Sequence, residues 1–448
     1  MNKKLIYIIL VIFFFSASAF IIIRYSLHQS QLKKATYPLL ERKGELSSST
    51  EWQQTKKIAQ ELIDKLQAHP NDSRSAISLS GLYIQEARIT GNYIYYDAAA
   101  LKYINMVLDN EPGNFEALTL KSILYMSQHH FADGLAIAEK AQKINPYNAL
   151  IYGMLVDGNV ELGNYQAAVE NSDKMDSIRP DLRSYARISY LREIYGDYPG
   201  AIEAMKLAVS AGGAGDEPTE WARIQLARLY ENTGDVKSAE MHYVIALDER
   251  PDYGYATAGL GHIALANKDY SKAIEYYEKA ASILNDYAIQ EQLSQLYMWS
   301  GNNRKADSLL TGIIDEMNKD GKKGESGENI GHYADRELAY AYLLKNDYEN
   351  ALKHALMEYG RRPGNIDVNQ TVAWVYYKMK EYNKALPYIN VALKTHCKNP
   401  TLLCNAGLIY AKTNQANLAK TTLEEALKND PAIDPELKEE SQNVLKNL

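Results

Sequence analysis

Apolar and polar positions follow one another along this chain in a pattern that returns about every 34 residues. In Tyr255–Asn285, the segment Ala256–Ala266 carries apolar residues at three- and four-residue steps. The polar stretch Asn267-Lys268-Asp269-Tyr270 interrupts it, and Ser271–Leu284 resumes the same spacing. Each periodic segment predicts an amphipathic helix, and the short polar break predicts a tight turn, so the unit is an antiparallel helix pair. Comparable breaks occur at Gly163-Asn164-Tyr165, Gly196-Asp197-Tyr198, Gly234-Asp235-Val236, Gly301-Asn302-Asn303, Asn346-Asp347-Tyr348 and Lys380-Glu381-Tyr382. Gly or Asn there tolerates the left-handed backbone that ends one helix, and Asp or Asn caps the next.

One turn into each second helix stands a small residue: Ala100, Gly134, Ala168, Ala201, Ala239, Ala273, Ala306, Ala351, Ala385 and Ala419. Their spacings are 34, 34, 33, 38, 34, 33, 45, 34 and 34. A near-constant period of this size marks a solenoid in which each unit packs on its neighbours. A methyl group or hydrogen at that position lets the paired helices approach closely, which a larger side chain would prevent. Units close on Pro112, Pro146, Pro180, Pro251, Pro363 and Pro431, where the ring removes a helical donor and restrains the residue before it.

The grammar resembles the tetratricopeptide repeat. One unit shows Leu260-Gly261, Asp269-Tyr270, Ala273, Tyr277 and Ala280; another shows Leu226, Tyr230, Gly234-Asp235, Ala239, Tyr243, Ala246 and Pro251. The resemblance implies an all-α solenoid of about ten helix-turn-helix repeats over 71–431, wound as a right-handed superhelix with a concave groove. Three places depart from the pattern. Arg192 stands where a first-helix tyrosine is usual, and that unit ends in Gly212-Gly213-Ala214-Gly215. The first unit fits with an extra segment near Ile89–Tyr96 lengthening its inter-helix turn. Lys319–Gly327, rich in glycine and charge, reads as a solvated loop and accounts for the spacing of 45.

The amino terminus has a different character. Leu5–Ile23 is an uncharged run of 19 residues between Lys3-Lys4 and Arg24, long enough for one transmembrane helix preceding the repeats. A cleavable signal peptide is the other reading, since Ala17-Ser18-Ala19 looks like a cleavage site. Cleavage there would leave Phe20-Ile21-Ile22-Ile23 as an apolar stub, which favours the uncleaved anchor. Two lysines before the run favour an inside amino terminus and extracytoplasmic (periplasmic) repeats, although Arg24, Lys33, Lys34, Arg42 and Lys43 load the other flank. The chain thus divides into an anchor (1–24), a polar linker (25–51), a half-repeat helix (52–70), the repeats (71–431) and a capping helix (432–448).

Charge narrows the partners. Lys and Arg number 49 against 56 Asp and Glu, a net charge of −7, so no basic surface for nucleic acid is expected. Thirty-five tyrosines fall mostly at repeat positions, where a ring packs between helices and its hydroxyl reaches water. Cys397 and Cys404 flank a corner at Pro400, and either a disulfide or two buried thiols fits that spacing. No phosphate-binding loop, nucleophile elbow or zinc-protease motif occurs. His129-His130 occupies a turn position and reads as solvated, with no metal site and no cofactor expected.

Function is therefore expected in the groove. The resemblance implies that exposed first-helix positions line it: Arg183, Arg187, Tyr190, Trp221, Arg228, Tyr255, His262, Tyr333, Arg336, Tyr340, Trp374 and Tyr377. Arginines and aromatics concentrate binding energy at interfaces. Arg187 and Arg228 would either grip a partner's carboxylate or pair locally with Glu193 or Glu231. The lysine-and-asparagine set that captures chaperone tails is not reproduced. The expectation is a membrane-tethered, non-enzymatic scaffold that binds a protein or peptide partner in a cell-envelope complex. The alternative is an accessory subunit of an envelope enzyme or of a polysaccharide or protein export system.

Overall fold

The computed structural model describes residues 12–24, 37–326 and 330–448, and every regular element among them is helical. Residues 12–24 form helix α1, with Phe13, Phe14, Phe15 and Phe20 each at least 62% exposed. Among the described residues no helix is long and apolar enough to cross a membrane. The expected span Leu5–Ile23 and the linker residues 25–36 lie partly or wholly outside them.

Helix α2 (Thr50–Ala68) leads into ten antiparallel pairs. In order these are α3 (Ser73–Thr90) with α4 (Tyr93–Asn110), α5 (Phe115–Ser127) with α6 (Phe131–Ile144), α7 (Ala149–Glu161) with α8 (Tyr165–Ile178), and α9 (Leu182–Ile194) with α10 (Tyr198–Ser210). Next come α11 (Glu217–Asn232) with α12 (Val236–Glu249), α13 (Gly254–Ala266) with α14 (Tyr270–Ile283), and α15 (Tyr287–Trp299) with α16 (Asn303–Ser326). The last three are α17 (Asp335–Leu344) with α18 (Tyr348–Arg361), α19 (Ile366–Lys378) with α20 (Tyr382–Ala392), and α21 (Pro400–Lys412) with α22 (Ala416–Ala426). Helix α23 (Pro435–Lys446) packs on the final pair.

Every intra-pair turn contains one residue with φ between +57° and +82°. Five are Gly91, Gly163, Gly196, Gly234 and Gly301; five are His129, Lys268, Asn346, Lys380 and Asn414. In nine pairs this residue stands five positions before the small rung residue, which is buried in all ten pairs. Asp197, Asp235, Asp269 and Asp347 then accept the amide of Gly200, Ser238, Lys272 and Asn350 at 3.1–3.2 Å, starting the second helix. Small or hydroxyl residues face the rungs from the first helix. Ser122, Ser189 and Ser294 donate to the carbonyls of Gly134, Ala201 and Ala306 at 2.9, 2.7 and 3.1 Å.

Three expectations need correction. The first pair has no lengthened turn: only Gly91-Asn92 separates α3 and α4, and the extra residues extend the helices themselves. Lys319 to Ser326 continues α16 as helix instead of forming a solvated loop, because the preceding Leu310, Ile313, Ile314 and Met317 anchor one face in the core. Part of the linker is docked. Arg42 is 3% exposed and grips Glu86 with two bonds of 3.0 and 2.6 Å, while the Tyr83 hydroxyl donates to the Tyr37 carbonyl at 2.5 Å.

Successive turns of the superhelix touch. The amide of Asn285 donates to the Thr90 carbonyl (3.2 Å) and that of Tyr333 to the Gln128 carbonyl (3.1 Å). Asn365 Nδ2 donates to the Glu161 carbonyl (3.1 Å), and the Ile366 amide to the Tyr165 hydroxyl (2.9 Å). A Cβ on Gly163 would meet the Gly364 carbonyl at 2.2 Å, and one on Gly196 the His396 carbonyl at 2.5 Å. At the start, Glu45 N donates to Asp252 (2.9 Å) and Arg250 bridges to Glu51 (2.7 Å). Each contact joins the intra-pair turn of one repeat, or the docked strap formed by residues 37–51, to a junction about 200 residues further on. One superhelical turn therefore takes just under six repeats, and the first-helix faces become the wall of an enclosed interior.

Candidate functional site

The inner wall is built from the first helix of each pair, whose outer positions have no second helix over them. Arg183, Tyr190 and Arg228 are exposed there, Tyr190 by 41%. Even so, loss of solvent holds the Tyr190 hydroxyl well above its ordinary pKa, with Glu161 and Asp367 adding to the effect. Glu161 and Asp367 belong to repeats three and nine, so the wall brings together side chains far apart in sequence.

Arg187 does not pair with Glu193. Its Nε and Nη2 hold Asp157 at 2.8 and 2.6 Å, and Nε also donates to the Gly153 carbonyl at 3.2 Å. The absent side chain of Gly153 makes room for that guanidinium, since a Cβ would sit 3.0 Å from it. Arg228 makes no ion pair within 4.0 Å among the described residues, although its charge opposes the rise of the Glu193 pKa. Glu231 is instead taken by His262 Nδ1 at 2.8 Å. Burial disfavours the charged imidazole, but this carboxylate outweighs it and raises the His262 pKa.

Arg336 lies over the Tyr340 ring at 5.9 Å with its Nε buried and unpartnered. Burial opposes its charge, yet Asp367, Tyr340 and Glu337 raise its pKa overall. Trp221 takes the Arg88 guanidinium on its face at 5.8 Å, and Tyr255 donates to Asp286 at 3.5 Å. Trp374 stacks on Tyr377 at 4.9 Å. Two other residues leave the groove. Tyr377 is 5% exposed and its hydroxyl is spent on Glu440 of α23 at 2.7 Å; Tyr333 precedes α17 and stacks on His130 across the seam at 3.7 Å.

Carboxylates dominate what remains. Burial pushes Glu291 up to about 8, with Glu337 adding and Arg336 opposing. Burial also raises Glu193, Asp286 and Asp434. Such a wall suits a cationic group better than a further carboxylate, because a nearby cation favours the charged form of each of these acids. No periodicity could have revealed this, because the charges come from different superhelical turns.

The His129-His130 turn is not solvated. His130 is 8% exposed and its Nε2 meets the Gly331 carbonyl at 3.0 Å, while His129 Nδ1 lies 3.0 Å from His332 Nε2. Ligand atoms of His129, His332 and Glu337 all fall within 4.8 Å of one another. Burial, aided by the neighbouring His129, pushes His332 down to about 3 and keeps it neutral. Cys397 and Cys404 are both free and buried, and burial raises them to about 12 and about 11.

Residues 224–288 and 400–433 each match a family model for the tetratricopeptide repeat. Tetratricopeptide repeat protein 21B of Xenopus laevis is 23% identical over 219 residues, which is 47% of this chain and 16% of that much longer protein. A tetratricopeptide repeat protein from Parabacteroides merdae ATCC 43184 is 16% identical, covering 59% of this chain and 97% of that one, with a TM-score of 0.34. YrrB, described as a TPR protein with an unusual peptide-binding site, is 17% identical over 42% of this chain and 94% of its own, with a TM-score of 0.29. Two stretches thus match the tetratricopeptide repeat directly, and all ten helix pairs, set at a near-constant step, are similar to it.

Proposed function

We propose that the enclosed inner wall holds an extended, basic segment of a protein partner, and that the apolar amino-terminal run tethers this scaffold to a membrane with its repeats on the extracytoplasmic side. Tetratricopeptide repeats generally mediate protein–protein interactions, using their concave surface. The observation that carries the reading is the inner wall itself: burial raises the carboxyls of Glu193 and Asp286 and pushes Glu291 up to about 8, alongside Tyr190, Trp221 and Tyr340. A lysine or arginine entering beside Glu291 would release its proton, so binding tightens as pH rises toward 8. The aromatic rings supply apolar contact and cation–π faces for the same residues. In support of the tether, α1 exposes large apolar side chains all round, which water disfavours and lipid does not.

The test is photo-crosslinking in membranes, with a benzophenone amino acid placed at Tyr190 or Tyr340 on the wall, or at Tyr147, which is 81% exposed. The reading expects one defined polypeptide captured from the two wall positions and not from Tyr147. Equal capture from all three positions, or none from the wall, would overturn it.

A further inference from the structure

We propose that His129, His332 and Glu337 form a binding site for a divalent transition-metal ion of the Zn²⁺ class, which staples the second repeat to the entrance of the eighth across the seam. His129 Nδ1 stands 3.0 Å from His332 Nε2 and 3.9 Å from Glu337 Oε1. In a tetrahedral zinc site with bonds of 2.0–2.2 Å the ligand atoms lie about 3.3 Å apart, so small side-chain rotations close the set. Two imidazoles and one carboxylate are donors that favour zinc and its neighbours over magnesium or calcium, which prefer oxygen alone. A fourth position would be left to water.

The surroundings hold these donors in place. His129 has φ +60° at its turn and stacks on Phe131 at 5.2 Å. His332 is presented by a loop pinned at three points: the Tyr333 amide on the Gln128 carbonyl, the His332 amide on Asp320 at 3.1 Å, and His130 on the Gly331 carbonyl. His130 is thereby occupied and does not ligate. Glu337 Oε2 is buried with no hydrogen-bond partner among the described residues, so the carboxylate has an acceptor to give at no loss. His129 Nδ1 also lies 3.2 Å from the Tyr333 carbonyl. An incoming ion would take that nitrogen's lone pair, with the ring proton carried on Nε2.

The experiment uses the full chain in detergent, stripped with a chelator and titrated with Zn²⁺ by calorimetry. The proposal expects one ion per chain, no competition from millimolar Mg²⁺, and Co²⁺ spectra of a four-coordinate nitrogen–oxygen site. Glu337→Gln, which loses no existing hydrogen bond at Oε2, is expected to weaken binding at least tenfold. His332→Ala is expected to abolish it, and His69→Ala, at an exposed histidine, to leave it unchanged. Zinc bound equally by the parent chain and by Glu337→Gln, or no stoichiometric binding by the parent chain, would overturn the assignment.

Discussion

Replacing Gly163 by alanine probes the seam with little else disturbed. At φ +80° an alanine costs about 1–2 kcal/mol for the left-handed backbone alone. Its Cβ would also stand 2.2 Å from the Gly364 carbonyl and 2.8 Å from the Asn365 amide of the next superhelical turn. Reaching ordinary contact near 3.4 Å means parting the two turns by about 1 Å. The bonds from Asn365 to the Glu161 carbonyl (3.1 Å) and from Ile366 to the Tyr165 hydroxyl (2.9 Å) would then stretch beyond useful range. At about 1 kcal/mol net for each, with buried Ile366 losing contacts as well, the seam adds about 2–4 kcal/mol. Gly301 is the control: its φ is also +80°, yet nothing lies within 4 Å of an added Cβ. Gly163→Ala is therefore expected to lose about 2–4 kcal/mol more than Gly301→Ala in urea unfolding, and to raise the radius of gyration by X-ray scattering. Equal losses within about 0.5 kcal/mol, with unchanged dimensions, would refute the contact between turns.

Other expectations follow from single contacts. Ala273→Leu overpacks a rung that is fully buried and should cost about 1–3 kcal/mol, read as a lowered unfolding midpoint. Arg42→Ala would leave Glu86 buried and unpaired at 1% exposure, so a loss of about 3–5 kcal/mol is expected; no loss would mean the strap is not docked. Burial pushes Asp97 up to about 7, against the hydrogen bonds from Gln128 and Ser127. Between pH 4 and 7 the unfolded chain therefore gives up a proton that the folded chain keeps, and stability falls as pH rises. A rise of that size corresponds to about 4 kcal/mol at most, and Asp97→Asn should remove this fall, giving a flatter stability profile from pH 5 to 8 than the parent chain.

The repeat was legible because its cause is local. A rung residue must be small, a turn residue must tolerate positive φ, and both recur at the step that packing requires, so ten pairs could be counted from the chain alone. What escaped is what one superhelical turn lays on the previous one. Gly163 reads as a helix stop, and nothing near it announces Gly364. His129 and His130 look like a polar turn because their partners, Gly331 to Tyr333, lie about 200 residues away. Arg187 illustrates the same limit within one wall: its sequence neighbour Glu193 looked available, whereas α7, the first helix of the preceding pair, supplies Asp157. Arg42 reads as part of a polar linker, since a buried arginine is recognisable only with Glu86 beside it. The acidity of the wall is likewise a sum over helices that no local window contains.

The central claim, a superhelix whose turns rest on one another and enclose its binding wall, is tested most directly by native-state amide hydrogen exchange at Asn285 and Tyr333. Neither amide belongs to a helix, and each donates across the seam, to Thr90 and to Gln128. The account predicts exchange slowed on the order of a hundredfold or more relative to a free loop amide, matching the flanking helices. Exchange at the rate of an open loop would mean that the turns stand apart and that the wall is an open groove.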